Sequence, residues 1–214
     1  MRKTSPSLLL LIAAACTSKQ PASQSDSATV TATTPAASPT ATANGAVPVA
    51  ATESAVAPEV NPPGDIPDTQ AFVPYSSASS GYSIEVPEGW ARSGDGASVT
   101  FVSKLDGVRI DVAPATSPLT AASAATMAKQ IQAQGRAVNI TSTSDVGLPS
   151  GTAVLIKYDS NSEPNSVTQK QVRVENEAYV LFRNGKQAIV TMWAPKGADN
   201  ADQWNRMSRS FKWL

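Results

Sequence analysis

Tyr179-Val180-Leu181-Phe182-Arg183-Asn184-Gly185-Lys186-Gln187-Ala188-Ile189-Val190-Thr191-Met192-Trp193 is the stretch from which the fold can be read. Two apolar runs of strand length flank Asn184-Gly185, and both central residues of a type I′ turn need positive φ, which Asn and Gly tolerate best. The spacing predicts a β-hairpin. Upstream, Ala153-Val154-Leu155-Ile156 has no alternation and predicts a central strand covered on both faces. Tyr82-Ser83-Ile84-Glu85-Val86 and Val108-Arg109-Ile110-Asp111-Val112 alternate apolar and polar residues, the period-2 pattern of strands with one face wet. Residues 99–103 read as a strand between them, and residues 167–177 as a bent or further strand. Pro87-Glu88-Gly89 supplies a turn, after which Trp90 is expected to pack as a lid on the core.

A strand covered on both faces calls for helices above and below it. Ser117-Pro118 makes a helix start, with Ser117 as N-cap and Pro118 at the first helical position, and Gly135 ends the run through Leu119, Met127 and Ile131. A second helix is expected from Asp199, with Ala201, Trp204, Met207 and Phe211 on one stripe, a spacing that belongs to a core. Hairpin-linked strands make the sheet mainly antiparallel. The fold class is therefore α+β, an α/β/α sandwich with about six to seven strands flanked by two helices.

All twelve aromatic residues lie at Phe72 or later, whereas residues 17–70 hold 12 Ala, 9 Thr, 8 Pro and 6 Ser among 54. So little apolar surface cannot offset the entropy of ordering the backbone. Three parts follow: a signal peptide over 1–15, Cys16 with a disordered tether to residue 71, and a globular domain over 72–214. As a flexible coil the tether would span on the order of 40 Å. Its Ser, Thr and Pro content also permits O-glycosylation.

Arg2 and Lys3, the apolar run over residues 8–15 and the sole cysteine, Cys16, resemble a bacterial lipoprotein signal. Ala13 stands where that pattern has Leu or Val. The resemblance implies that Cys16 is the lipidated first residue of the mature chain, anchored in a bacterial cell membrane and facing its extracytoplasmic side. In a two-membrane cell, Thr17 would favour the outer membrane. The alternative is an ordinary secretory peptide with an incidental cysteine.

Residues 17–70 carry one basic and five acidic groups, a net of −4, and residues 71–214 carry fourteen basic and twelve acidic groups, a net of +2. No basic stripe points to nucleic acid. The chain has no histidine and no second cysteine, so a Ser-His-Asp triad and a disulfide are both excluded. Gly-x-Ser-x-Gly, Ser-x-x-Lys and phosphate-loop patterns do not occur. Asp159-Ser160-Asn161-Ser162-Glu163 imitates the start of an EF-hand loop, but Pro164 and Lys170 occupy its glycine and glutamate positions. No cofactor or metal is expected, and that stretch reads as a solvated loop. Glu85, Asp111 and Glu175, with Arg109 and Arg173, occupy polar strand positions and could share one sheet face. They are expected as cross-strand charge pairs, or as the polar wall of a ligand cleft.

The segment from Tyr82 to Trp90, the long hairpin followed by Ala194-Pro195-Lys196-Gly197-Ala198-Asp199-Asn200, and Trp204 with Ser210-Phe211-Lys212-Trp213 together resemble the PsbP-like superfamily. That group includes the extrinsic PsbP subunit of photosystem II, a nuclear import factor that binds the Ran GTPase, and bacterial lipoproteins of the LpqN type. The resemblance covers residues 72–214. It implies an antiparallel sheet between helices, used for protein or ligand binding and assembly, and brings no catalytic set with it. The expected function is a membrane-anchored, non-enzymatic binding or accessory domain of the cell envelope, with an envelope protein or small ligand as partner. The alternative is an envelope hydrolase using paired carboxylates.

Overall fold

The computed structural model describes residues 53–214; Cys16 and the segment before it lie outside the described residues. The chain runs β1 (Phe72–Ser77), β2 (Tyr82–Pro87), β3 (Ala91–Asp95), β4 (Ser98–Ser103), β5 (Asp106–Pro114), α1 (Ala125–Gln134), β6 (Asn139–Leu148), β7 (Gly151–Asn161), β8 (Arg173–Arg183), β9 (Lys186–Pro195), α2 (Ala201–Ser210) and β10 (Lys212–Trp213). Asn184 and Gly185 have φ of 50° and 76°, as a type I′ turn requires. The β8–β9 hairpin lies inside a seven-stranded sheet of order β3-β4-β5-β9-β8-β7-β6, antiparallel throughout. A second, three-stranded sheet has the order β1-β2-β10.

Residues 153–156 are all buried, and they divide by parity. Ala153 and Leu155 face a core shared with Tyr82, Met207 and Phe211, from the small sheet and the α2 end of the chain. Val154 and Ile156 face a smaller core in which Met127 and Ile131 of α1 pack. One face of the large sheet is thus covered by α1, and the other by α2 with the small sheet. Tyr82 stacks on Phe211 at 5.7 Å between ring centroids. Burying each such side chain contributes on the order of 1.5–3 kcal/mol. Trp90 packs against the same core.

Local differences from the sequence expectation have local causes. α1 starts at Ala125 rather than at Pro118. Thr120 and Ser123 exchange side-chain and backbone hydrogen bonds, and Ala121 N donates to Asp145 Oδ1, so these donors stabilise a turn ahead of the helix. Gly135 does end α1, with an extended backbone rather than a left-handed one. Asp199 does not cap α2; its amide donates to Asp65 Oδ1. Ala201 is exposed, while Trp204, Met207 and Phe211 are buried as the stripe requires. β8 begins only at Arg173, because Asn165 Oδ1 accepts the amides of Val167 and Thr168 and turns the chain into a loop.

The stretch before Phe72, expected as tether, makes contacts with the domain from Glu53 onward. Residues 53–71 form a strap across one end of the large sheet, past the close of β7, the start of β8, the close of β9 and the start of β5. Glu53 Oε1 accepts from Asn161 Nδ2 at 2.8 Å and Gln171 Nε2 at 2.6 Å, and Arg136 Nη2 lies 2.9 Å from Glu53 Oε2. Glu59 pairs with Lys170. Ile66 is 5% exposed, its amide donates to Asn200 Oδ1 at 2.6 Å, and Gln203 Nε2 donates to Ile66 O at 3.0 Å. Composition missed this because the strap is held by polar anchors and one buried side chain. Asn161, expected in a solvated loop, is buried and also accepts the Val56 amide.

Gly107 faces Trp193 across β5 and β9. A Cβ on Gly107 would fall 1.9 Å from Trp193 Cζ2, so the indole lies over bare backbone. We predict that Gly107→Ala destabilises the domain by about 1–3 kcal/mol, read as a lower urea midpoint. An unchanged midpoint would contradict the close approach.

Candidate functional site

The five charged strand residues do not share one face. Glu85 is on β2, in the small sheet, where Arg206 Nε donates to its Oε2 at 2.9 Å and the Arg206 guanidinium lies 4.3 Å from the Phe72 ring centre. Arg109 and Asp111 are on β5. Their cross-strand partners Thr191 and Ile189 face Ala178 and Val180, which places both on the α1 side. Arg109 Nε and Nη2 donate to Asp111 at 2.7 and 2.9 Å, and Ser98 Oγ donates to the same carboxylate at 2.7 Å. Arg173 is buried and donates to Ala137 O at 2.8 Å and Asn161 Oδ1 at 3.0 Å, which makes it part of the strap anchor. Glu175 shares its parity with Tyr179 and Leu181, on the α2 side. Alternation gives the parity of each strand but not which sheet it joins, and Glu85 was misplaced for that reason.

Glu175 opens into a recess of about 220 Å³ between β7, β8 and the N-terminal end of α2, walled by Lys157, Glu177, Asn200 and Trp204 among others. Lys157 stands directly opposite Glu177 across the strand pair, and Asp159 directly opposite Glu175. Lys157 Nζ lies 2.5 Å from Glu177 Oε1, and the Tyr179 hydroxyl donates to Glu177 Oε2 at 2.7 Å. Lys196 Nζ donates to Asp159 Oδ2 at 2.5 Å. Glu177 and Asp159 therefore each carry a lysine, whereas Asp199, also on the recess wall, forms no ion pair among the described residues. Among the described residues Glu175 forms no ion pair. Burial pushes its carboxyl above the ordinary range, reinforced by Asp159 and Glu177 and opposed by the Gly197 amide and Lys196. Burial likewise raises the Tyr179 phenol, and its bond to Glu177 adds to this.

A partly desolvated carboxylate with like charges beside it gains most from a cation brought in from outside. A single carboxylate next to an indole matches an ammonium or guanidinium group. Lys157 and Asp159 continue the parity of Ala153 and Leu155, so pairing β7 with β8 would have found them from the sequence. Asn200 carried no such signal, and Trp204 was legible only as core.

No family model matches the chain, and no curated protein matches it. Among solved structures it is similar to the solution structure of cyanobacterial PsbP (CyanoP) from Synechocystis sp. PCC 6803, with 15% identity and a TM-score of 0.50 over 71% of this chain and 98% of that one. It is also similar to a crystal structure from Bacteroides thetaiotaomicron VPI-5482, with 13% identity and a TM-score of 0.45 over 66% of this chain and 48% of that one. The first likeness supports a PsbP-like fold.

Because Glu175 is raised, its ionised form is the penalised one. We predict that Glu175→Gln leaves thermal stability unchanged well below the ordinary carboxylate range, where both side chains are neutral, and raises it at neutral pH. An equal effect at both pH values would contradict the desolvation of Glu175.

Proposed function

We propose that this chain is a lipid-anchored protein of a bacterial envelope whose domain, from Glu53 onward, is a non-enzymatic binding or accessory module that receives a basic side chain of a partner protein beside Glu175. The observation that carries this reading is the partly buried Glu175 carboxylate, which forms no ion pair among the described residues, in a recess where Glu177 on the wall and Asp159 directly opposite Glu175 are each held by a lysine. The anchor rests on Cys16 and the segment before it. Residues 17–52 lie outside the described residues, and their composition is that of a spacer. Such tethering confines the search for a partner to the membrane surface and raises its effective concentration. Of the carboxylates considered for a hydrolase, Glu85 and Asp111 lie in different sheets and do not form a pair.

Crosslinking of the native chain in cells is predicted to yield one stoichiometric envelope partner. Glu175→Gln should lower that yield about tenfold or more, because a buried partner cation left without its carboxylate costs roughly 2 kcal/mol or more. Cys16→Ser should lose the acyl mass and release the protein into the medium. A crosslink that survives Glu175→Gln would sink the recess assignment, and a Cys16→Ser chain that stays on the membrane would sink the anchor.

A further inference from the structure

Asp106 opens β5 where the strap crosses the end of the sheet. It is 6% exposed, and its Oδ1 has no hydrogen-bond partner. The strap backbone runs directly over it: Gly64 has φ of +137°, and a Cβ there would fall 3.1 Å from Asp106 Oδ1 and 2.8 Å from Pro195 Cδ. Only glycine passes without displacing the acid or the proline. The charged groups facing Asp106 are Asp65 on the strap and Lys104 on its own hairpin, while β9 presents the non-ionisable Pro195. An ionised carboxylate held in this way keeps Oδ1 buried without a donor and is repelled by Asp65.

We infer that Asp106 is a proton-operated switch for the strap, which seats over the protonated acid and lifts across residues 62–68 when the proton leaves. Lifting admits water to the carboxylate and separates it from Asp65. Burial first, then Asp65, push the Asp106 carboxyl up to about 7, with Lys104 opposing. The sign follows from linkage: a raised acid stabilises the seated state fully below the ordinary Asp range, and this is lost as pH climbs through about 7. The bonds that give way are those of Ile66 and Gly64 to Asn200, of Ile66 and Asp68 to Gln203, and of Asp65 to the Asp199 amide. The far anchor is built oppositely. A hydrogen bond from Asn161 leads the contacts that hold Glu53 below the ordinary carboxylate range, so it stays ionised and its contacts persist as Asp106 ionises.

Hydrogen exchange of the Ile66 amide in the full chain tests this, expressed as a protection factor across about pH 5 to pH 8. Protection is expected to fall about tenfold or more over that range while Val190, in the core of β9, stays unchanged. Asp106→Asn should abolish the pH dependence, and Asp65→Asn should move its midpoint to lower pH. A flat profile in the native chain, a profile that survives Asp106→Asn, or an unmoved midpoint in Asp65→Asn overturns the switch. Carbon-13 titration of the Asp106 carboxyl in the native chain covers the case in which Asp106→Asn does not fold; a midpoint in the ordinary Asp range would overturn it equally.

Discussion

The structure depends on the burial of β7 and β8 on both faces. Residues 153–156 and 178–181 are buried without a break, so neither strand can present a face to water and each side of the sheet needs its own cover. Hairpins alone cannot supply two covers. The β5-to-β6 crossover carries α1 over one face. The other cover is assembled from both ends of the domain: β1 and β2 come from its N-terminal part, α2 and β10 from its C-terminal part, and β10 pairs with β2. The stack of Tyr82 on Phe211 lies where they meet. The recess beside Glu175 follows from the same constraint, because α2 ends over β7 and β8 and leaves a gap at its N-terminal end.

Much of this was legible in the chain. Asn184-Gly185 fixed the hairpin, the unbroken apolar run at 153–156 fixed a two-sided central strand, and the stripe of Trp204, Met207 and Phe211 fixed which side of α2 faces inward. These signals are local, and local geometry decides them. Sheet membership is not local. The alternation in residues 82–86 is the same whether the strand joins the large sheet or starts a second one, so Glu85 was placed with Asp111 although it pairs with Arg206. The site was half legible: Glu175 was singled out, but Lys157 and Asp159 needed the β7–β8 pairing to reach it.

The strap is the larger correction. Like residues 17–52 it has no aromatic side chain, and composition measures how much apolar surface a segment could bury, not whether a few side chains find prepared partners. Glu53, Ile66 and the Gly64 passage over Asp106 suffice to hold it. Asn200 ties this strap to the recess, since its side chain accepts from Ile66 N and donates to Gly64 O while the same residue lines the wall beside Glu175. One residue at the start of α2 therefore touches both the strap and the recess.

The most direct measurement compares the urea unfolding of residues 53–214 with that of residues 72–214. If the strap belongs to the domain, its removal uncovers the Ile66 site, strips Asn161 and Asn200 of their strap partners, and lowers stability by roughly 2 kcal/mol or more. Equal midpoints and slopes for the two chains would contradict it and return residues 53–71 to the spacer.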